Sequence, residues 1–248
     1  MEPYVNHFEK DRIGYLEFGH PAANSLPSDL LEQLKQQLNL LSISKAVKVI
    51  VIQSGGDQTF SAGASFNEMK KMKNLEVATA FFMGFANLIN SIRLLNKFVI
   101  ARVQGKVVGG GVGLVAACDY VIALDTAAVK LSELSIGIGP YVIEPAVSRK
   151  IGTTAFSQLS LDAHEWKSAK WAKKHGLYTS ICKSKVELDQ NIVKTATRFA
   201  SYTQKANATL RKLHWKETDN WDALLTKNAK ITAKLTLEKA AQKILKNM

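Results

Sequence analysis

The sequence predicts an α/β fold, and three observations carry that reading. Short apolar, β-branched runs recur along the first half of the chain, at residues 47–54 (VKVIVIQS), Phe98–Val103 (FVIARV) and Tyr120–Leu124 (YVIAL). Between them lie stretches whose apolar residues recur at helical spacing, the alternation expected of a sheet covered by helices. Twice, a run of small residues stands where a strand hands over to a helix, at residues 60–65 (FSAGAS) and at Gly109, Gly110 and Gly111.

The elements follow in order. Residues 4–18 read as a strand pair, YVNHFEK and IGYLEF, joined by a turn at Asp11 and Arg12. The loop after His20 opens a helix near Pro27, Ser28 and Asp29, carried by Leu30, Leu31, Leu34 and Leu38. The buried strand at 47–54 is followed by a turn at Gly55, Gly56 and Asp57. From Phe66 to about Leu95 the period is helical, with Met69, Met72, Leu75, Phe82, Phe85 and Ile89 as an apolar stripe that reads as core or subunit contact. Two further strands follow, and after Gly152 the pattern is almost wholly helical. Trp215 and Trp221 punctuate a Lys-rich tail. This divides the chain into an α/β core over 1–190 and a helical region over 191–248.

Composition narrows the class. The 248 residues are 46% hydrophobic and 22% charged, ordinary values for a globular chain. No apolar run is read as a membrane span, and the N-terminus lacks the basic and apolar regions of a signal peptide. Cys118 and Cys182 stand in no metal or redox spacing and read as small buried hydrophobes, so the chain is expected to be cytoplasmic and disulfide-free. The net charge of +12 comes from lysines spread among helical positions without a nucleic-acid-binding motif. They read as a solvated face; a nucleic-acid partner rests on charge alone. None of the five histidines falls in a metal-ligand pattern, so no metal is expected.

The small-residue junctions bear on chemistry. Glycines remove side chains from a strand-to-helix turn, so a ligand can touch the backbone, and the first N–H groups of the helix lack partners. Two such junctions can offer two backbone donors to one developing oxyanion. Glu133 lies in a mostly apolar setting, LSEL, which raises a carboxyl pKa toward working pH.

FSAGASFNEM, GKVVGGGVGLVAACD and LSELSIGIGP, in that order, resemble the crotonase family of enoyl-CoA hydratases and isomerases. The resemblance runs from about Tyr4 to Gly176 and continues more loosely to the C-terminus. It implies a crotonase-like spiral of ββα units with a helical C-terminal region, and a coenzyme A thioester as substrate with no further cofactor. It places the oxyanion donors at the amides of Ala64 and Gly110 and proton transfer at Glu133. It sets Ala62, Gly63 and Ala64 beside the adenine end of coenzyme A, and Lys239 or Lys243 near its phosphates. It also implies a homotrimer or hexamer in which C-terminal helices complete a neighbour's pocket.

One departure matters. Typical hydratases of the family carry a second glutamate where this chain has Gly113. One carboxylate suffices for a proton shuttle, as in the family's enoyl-CoA isomerases. The segment also resembles a methylglutaconyl-CoA hydratase-like subgroup lacking that glutamate, whose substrates are branched and carry a distal carboxylate. Tyr141 or Glu144 could partly replace the missing acid, or could merely reshape the acyl pocket. Ser65, where the family commonly has Asp, bears on loop hydrogen bonding. Hydration of a branched 2-enoyl-CoA is the leading expectation, with isomerisation and inactive acyl-CoA binding as alternatives.

Overall fold

The computed structural model describes residues 2–247. The chain opens with β1 (Tyr4–Lys10) and β2 (Ile13–Gly19), an antiparallel hairpin whose turn residues Asp11 and Arg12 both take positive φ, at 52° and 68°. That is the turn whose twist matches a hairpin. There follow β3 (Ser25–Leu26), α1 (Ser28–Ile43), β4 (Val49–Ser54), β5 (Thr59–Ser61), β6 (Gly63–Ala64), α2 (Phe66–Met69) and α3 (Leu75–Leu94). Next come β7 (Phe98–Val103), β8 (Lys106–Val108), α4 (Gly110–Ala117), β9 (Tyr120–Leu124), β10 (Val129–Lys130) and a 3-10 turn at Glu133–Ile136. The second half holds α5 (Glu144–Leu161), α6 (Ala169–Lys174), β11 (Ser180–Cys182), α7 (Lys185–Ser201), α8 (Gln204–His214), α9 (Trp221–Leu237) and α10 (Lys239–Lys246).

The main sheet runs β1-β2-β4-β7-β9-β11, parallel after the first pair, and smaller parallel sheets are formed by β10-β8-β5 and β3-β6. The period of two in a strand explains the unbroken apolar runs. Ile50, Ile52, Val99, Ala101, Val121 and Ala123 point into the main core, beneath α1, α3 and α4. Their neighbours Val49, Val51, Ile100 and Ile122 point the other way, onto Leu188, Ile192, Ala196 and Ala200 of α7. Both faces of the central strands are therefore dry.

Several boundaries differ from the sequence reading. The helix expected over 66–95 is two helices, because the Asn74 side chain accepts from the Val77 N–H at 2.9 Å and starts α3 anew. Leu75, read as part of the apolar stripe, is exposed at this new N-terminus. The almost wholly helical pattern expected after Gly152 is present, with two interruptions. Gly152 itself breaks α5 with φ 79° and ψ 155°, and β11 adds a strand beside β9. Three residues are too few for periodicity to show. The expected division at 190/191 falls inside α7, which packs on the sheet.

Helix α3 is 20 residues long with a mean hydropathy of 1.3, enough by length and composition to cross a bilayer, which the sequence reading does not register. Its buried residues, Phe81, Phe85, Leu88 and Ile92 among them, lie in the main core, and it packs on α1, α4 and α9. It is a core helix.

The C-terminal helices are tied to the core by Arg211 of α8, which is 1% exposed. Its guanidinium donates to the carbonyls of Ile92, Arg93 and Leu95 at 2.6, 2.8 and 2.6 Å, capping the end of α3. Its Nε donates to Asp119 Oδ2 at 2.8 Å, and the same oxygen accepts from the Val99 amide.

Candidate active site

Two glycine turns meet at the site. Gly63, at φ 81°, lies so close to the β8–α4 junction that a Cβ there would stand 2.7 Å from the Val108 carbonyl and 3.1 Å from the Gly110 nitrogen. Gly109 caps α4 at φ 50° and ψ −121°, a conformation suited to glycine. A Cβ on Gly109 would lie 3.0 Å from Glu133 Oε1, so the bare backbone makes room for that carboxyl. Gly110 is the first residue of α4, and its N–H has no acceptor within the helix. At the other end of α4, Lys150 Nζ donates to the Cys118 and Asp119 carbonyls at 2.8 and 3.1 Å. The helix thus has its positive end at the site and a cation at its negative end.

These junctions face a cavity of about 40 Å³, lined by Ala62, Ala64, Gly109, Gly110, Ser132 and Glu133 on the polar side. Phe66, Met69, Phe82, Phe85, Ile136, Ile138, Val142 and Ile143 form its apolar walls, and Thr232 of α9 completes it. Glu133 opens the 3-10 turn, and its Oε2 is buried without a hydrogen-bond partner. Burial raises its carboxyl to about 7, partly offset by a hydrogen bond from its own backbone N–H. Near neutrality this group can hold or release a proton.

The structure therefore gathers Ala62, Ala64, Gly110 and Glu133 around one cavity, with Gly63 directly behind. It does not bring Tyr141 or Glu144 into that cavity. Tyr141 is exposed with its ring over Gly139, and its carbonyl accepts from Asn228 Nδ2 at 2.8 Å. Glu144 begins α5, where a carboxylate is favoured by the helix end. Lys239 and Lys243 lie on α10 outside the cavity wall. That helix reaches the wall through Gln242, which donates to the Met69 carbonyl at 3.3 Å.

The apolar walls of the cavity and Thr232 escape the sequence reading. Met69, Phe82 and Phe85, read as core or subunit contact, line the cavity. Thr232 comes from the chain's own α9, where the resemblance implied C-terminal helices reaching a neighbour. Spacing within α3 marks a buried face and gives no sign that part of it borders a cavity. Ser65 caps α2, its Oγ accepting from the Glu68 N–H at 3.4 Å.

The fold agrees with the comparisons. The family model for enoyl-CoA hydratase/isomerase matches residues 9–247, and the chain belongs to that family. A probable enoyl-CoA hydratase of Bacillus subtilis (strain 168) is 30% identical over 202 residues, covering 81% of this chain and 78% of that protein. The mitochondrial methylglutaconyl-CoA hydratase of Mus musculus is 34% identical over 139 residues, covering 55% of this chain and 44% of that protein. The crystal structure of an enoyl-CoA hydratase from Bacillus halodurans superposes with a TM-score of 0.92 over 99% of this chain and all of that one, at 21% identity. At that identity the likeness speaks for the fold: a crotonase-like α/β spiral with a helical C-terminal region.

Proposed function

We propose that the chain adds water to a 2-enoyl-CoA. The observation that carries this reading is the buried, unpartnered Glu133 carboxyl set against the two glycine turns. The thioester carbonyl sits between the amides of Ala64 and Gly110, whose N–H groups donate to the enolate oxygen as charge develops there. Glu133 takes a proton from water as the hydroxyl adds to the acyl Cβ, and returns a proton to Cα, so the net change is one water. A group with a pKa of about 7 serves both halves of that exchange. Ala62 and Gly63 line the approach for the adenine end, and Lys239 and Lys243 supply cations for the phosphates. The names borne by the relatives support hydration.

A second reading, migration of the double bond, is favoured by Gly113. A Cβ there would stand 2.4 Å from Ile143 Cγ2, so the space beside it is filled by hydrocarbon and holds no second acid. Incubation with 2-enoyl-CoA and 3-enoyl-CoA, followed by mass spectrometry and chromatography, separates the two. A gain of one water supports hydration; a mass-neutral shift in retention supports isomerisation. Binding of both thioesters without turnover overturns both.

A further inference from the structure

The cavity walls also speak to the acyl group, an inference that rests on the acyl-CoA reading above. Beyond Glu133 the wall is largely hydrocarbon, contributed by Met69, Phe82, Phe85, Ile136, Ile138 and Val142, and the Thr232 hydroxyl beside them donates to the Asn228 carbonyl at 3.0 Å. Among the described residues no lysine, arginine or histidine lines it. Its volume, about 40 Å³, accommodates roughly three water molecules. The phenylalanines are held in place by their packing. Phe81 meets Phe82 edge-on at 5.1 Å between centroids and meets Phe85 likewise at 5.8 Å. The Phe85 ring also lies against Gly110, where a Cβ would stand 2.3 Å from its Cε1. Met69 is fully buried at the end of α2, its carbonyl held by Gln242.

We propose that Met69, Phe82 and Phe85 close the acyl end of the site, admitting a short uncharged chain and excluding both long chains and chains ending in a carboxylate. A longer chain must displace rings that are fixed by edge-to-face packing and by α4. A distal carboxylate would lose its water with no cation to receive it, in a cavity already holding one carboxyl. The selection is therefore steric in depth and electrostatic in sign. It separates this chain from a methylglutaconyl-type substrate, whose acyl group carries such a carboxylate.

Saturated thioesters read the pocket without turnover. Calorimetric titration with butyryl-CoA, decanoyl-CoA, glutaryl-CoA and free coenzyme A is made on the wild type, Phe82→Ala and the milder Phe82→Leu, each checked for folding by thermal melting. Butyryl-CoA is expected to bind at least tenfold more tightly than decanoyl-CoA or glutaryl-CoA. Shortening Phe82 is expected to narrow the butyryl-to-decanoyl ratio at least threefold while leaving glutaryl-CoA disfavoured. Equal or tighter binding of decanoyl-CoA or glutaryl-CoA to the wild type overturns the inference and leaves the acyl-CoA reading intact. An unchanged ratio in a folded Phe82 variant removes Phe82 from the closing wall. No binding of any thioester overturns the acyl-CoA reading itself, and the inference with it.

Discussion

Ile143 occupies the space beside Gly113: a Cβ built on Gly113 would lie 2.4 Å from Ile143 Cγ2 and 2.7 Å from Ile143 Cβ. The pair joins the first turn of α4 to the loop leading into α5, and Ile143 also lines the cavity. It makes glycine at 113 a packing requirement of this chain.

Gly113→Ala is expected to destabilise the fold by about 1–3 kcal/mol through overpacking, and Gly113→Glu by more, because its carboxyl has no space or partner. Combining Gly113→Ala with Ile143→Ala is expected to recover part of that loss. Denaturant unfolding of the two single variants and the double variant measures the coupling, and additive losses would contradict the contact.

Glu133 sets a pH dependence of stability whose sign is the reverse of an ion-paired carboxylate. Its folded value is about 7, above the ordinary 4.5, so the folded chain holds the proton more tightly than the unfolded chain. Its favourable contribution is present at low pH and is lost as pH rises from about 4.5 through 7, amounting to about 3 kcal/mol. Glu133→Gln keeps the shape and cannot ionise. The difference in unfolding free energy between variant and wild type is expected to grow in the variant's favour from pH 5 to pH 8. A constant difference would show that the carboxyl is solvated.

Arg211 and Asp119 form a buried pair, with side chains 1% and 8% exposed. Removing one partner strands the other, so Asp119→Asn or Arg211→Met is expected to cost about 3–5 kcal/mol. Arg211→Met also frees the carbonyls of Ile92, Arg93 and Leu95 at the end of α3. Hydrogen exchange at the end of α3 and across α8 is expected to accelerate in that variant. Unchanged exchange there would contradict its role as the tie between the helical region and the core.

Much of this was legible in the sequence, and the parts that were not have a common cause. Residues 47–54, Phe98–Val103 and Tyr120–Leu124 read as strands because burial on both faces leaves unbroken apolar runs, and the structure has strands there. The glycine junctions and Glu133 were visible because backbone approach and an apolar setting leave marks in adjacent residues. What failed depends on distant pairs. That Ile143 fills the place beside Gly113 and that Arg211 reaches Asp119 are facts of packing between segments far apart in the chain. The split at Asn74 was in principle readable, since an Asn before a new apolar period is a capping signal. The apolar stripe of 66–95 concealed it.

The role of Glu133 is tested most directly by running the reaction in deuterium oxide with a short 2-enoyl-CoA and following carbon-bound deuterium by mass spectrometry. Wild type is expected to deliver deuterium to the acyl chain, and Glu133→Gln to do so about 100- to 10,000-fold more slowly while still binding the thioester. Equal incorporation by the two proteins, or none by the wild type, would contradict proton transfer by Glu133.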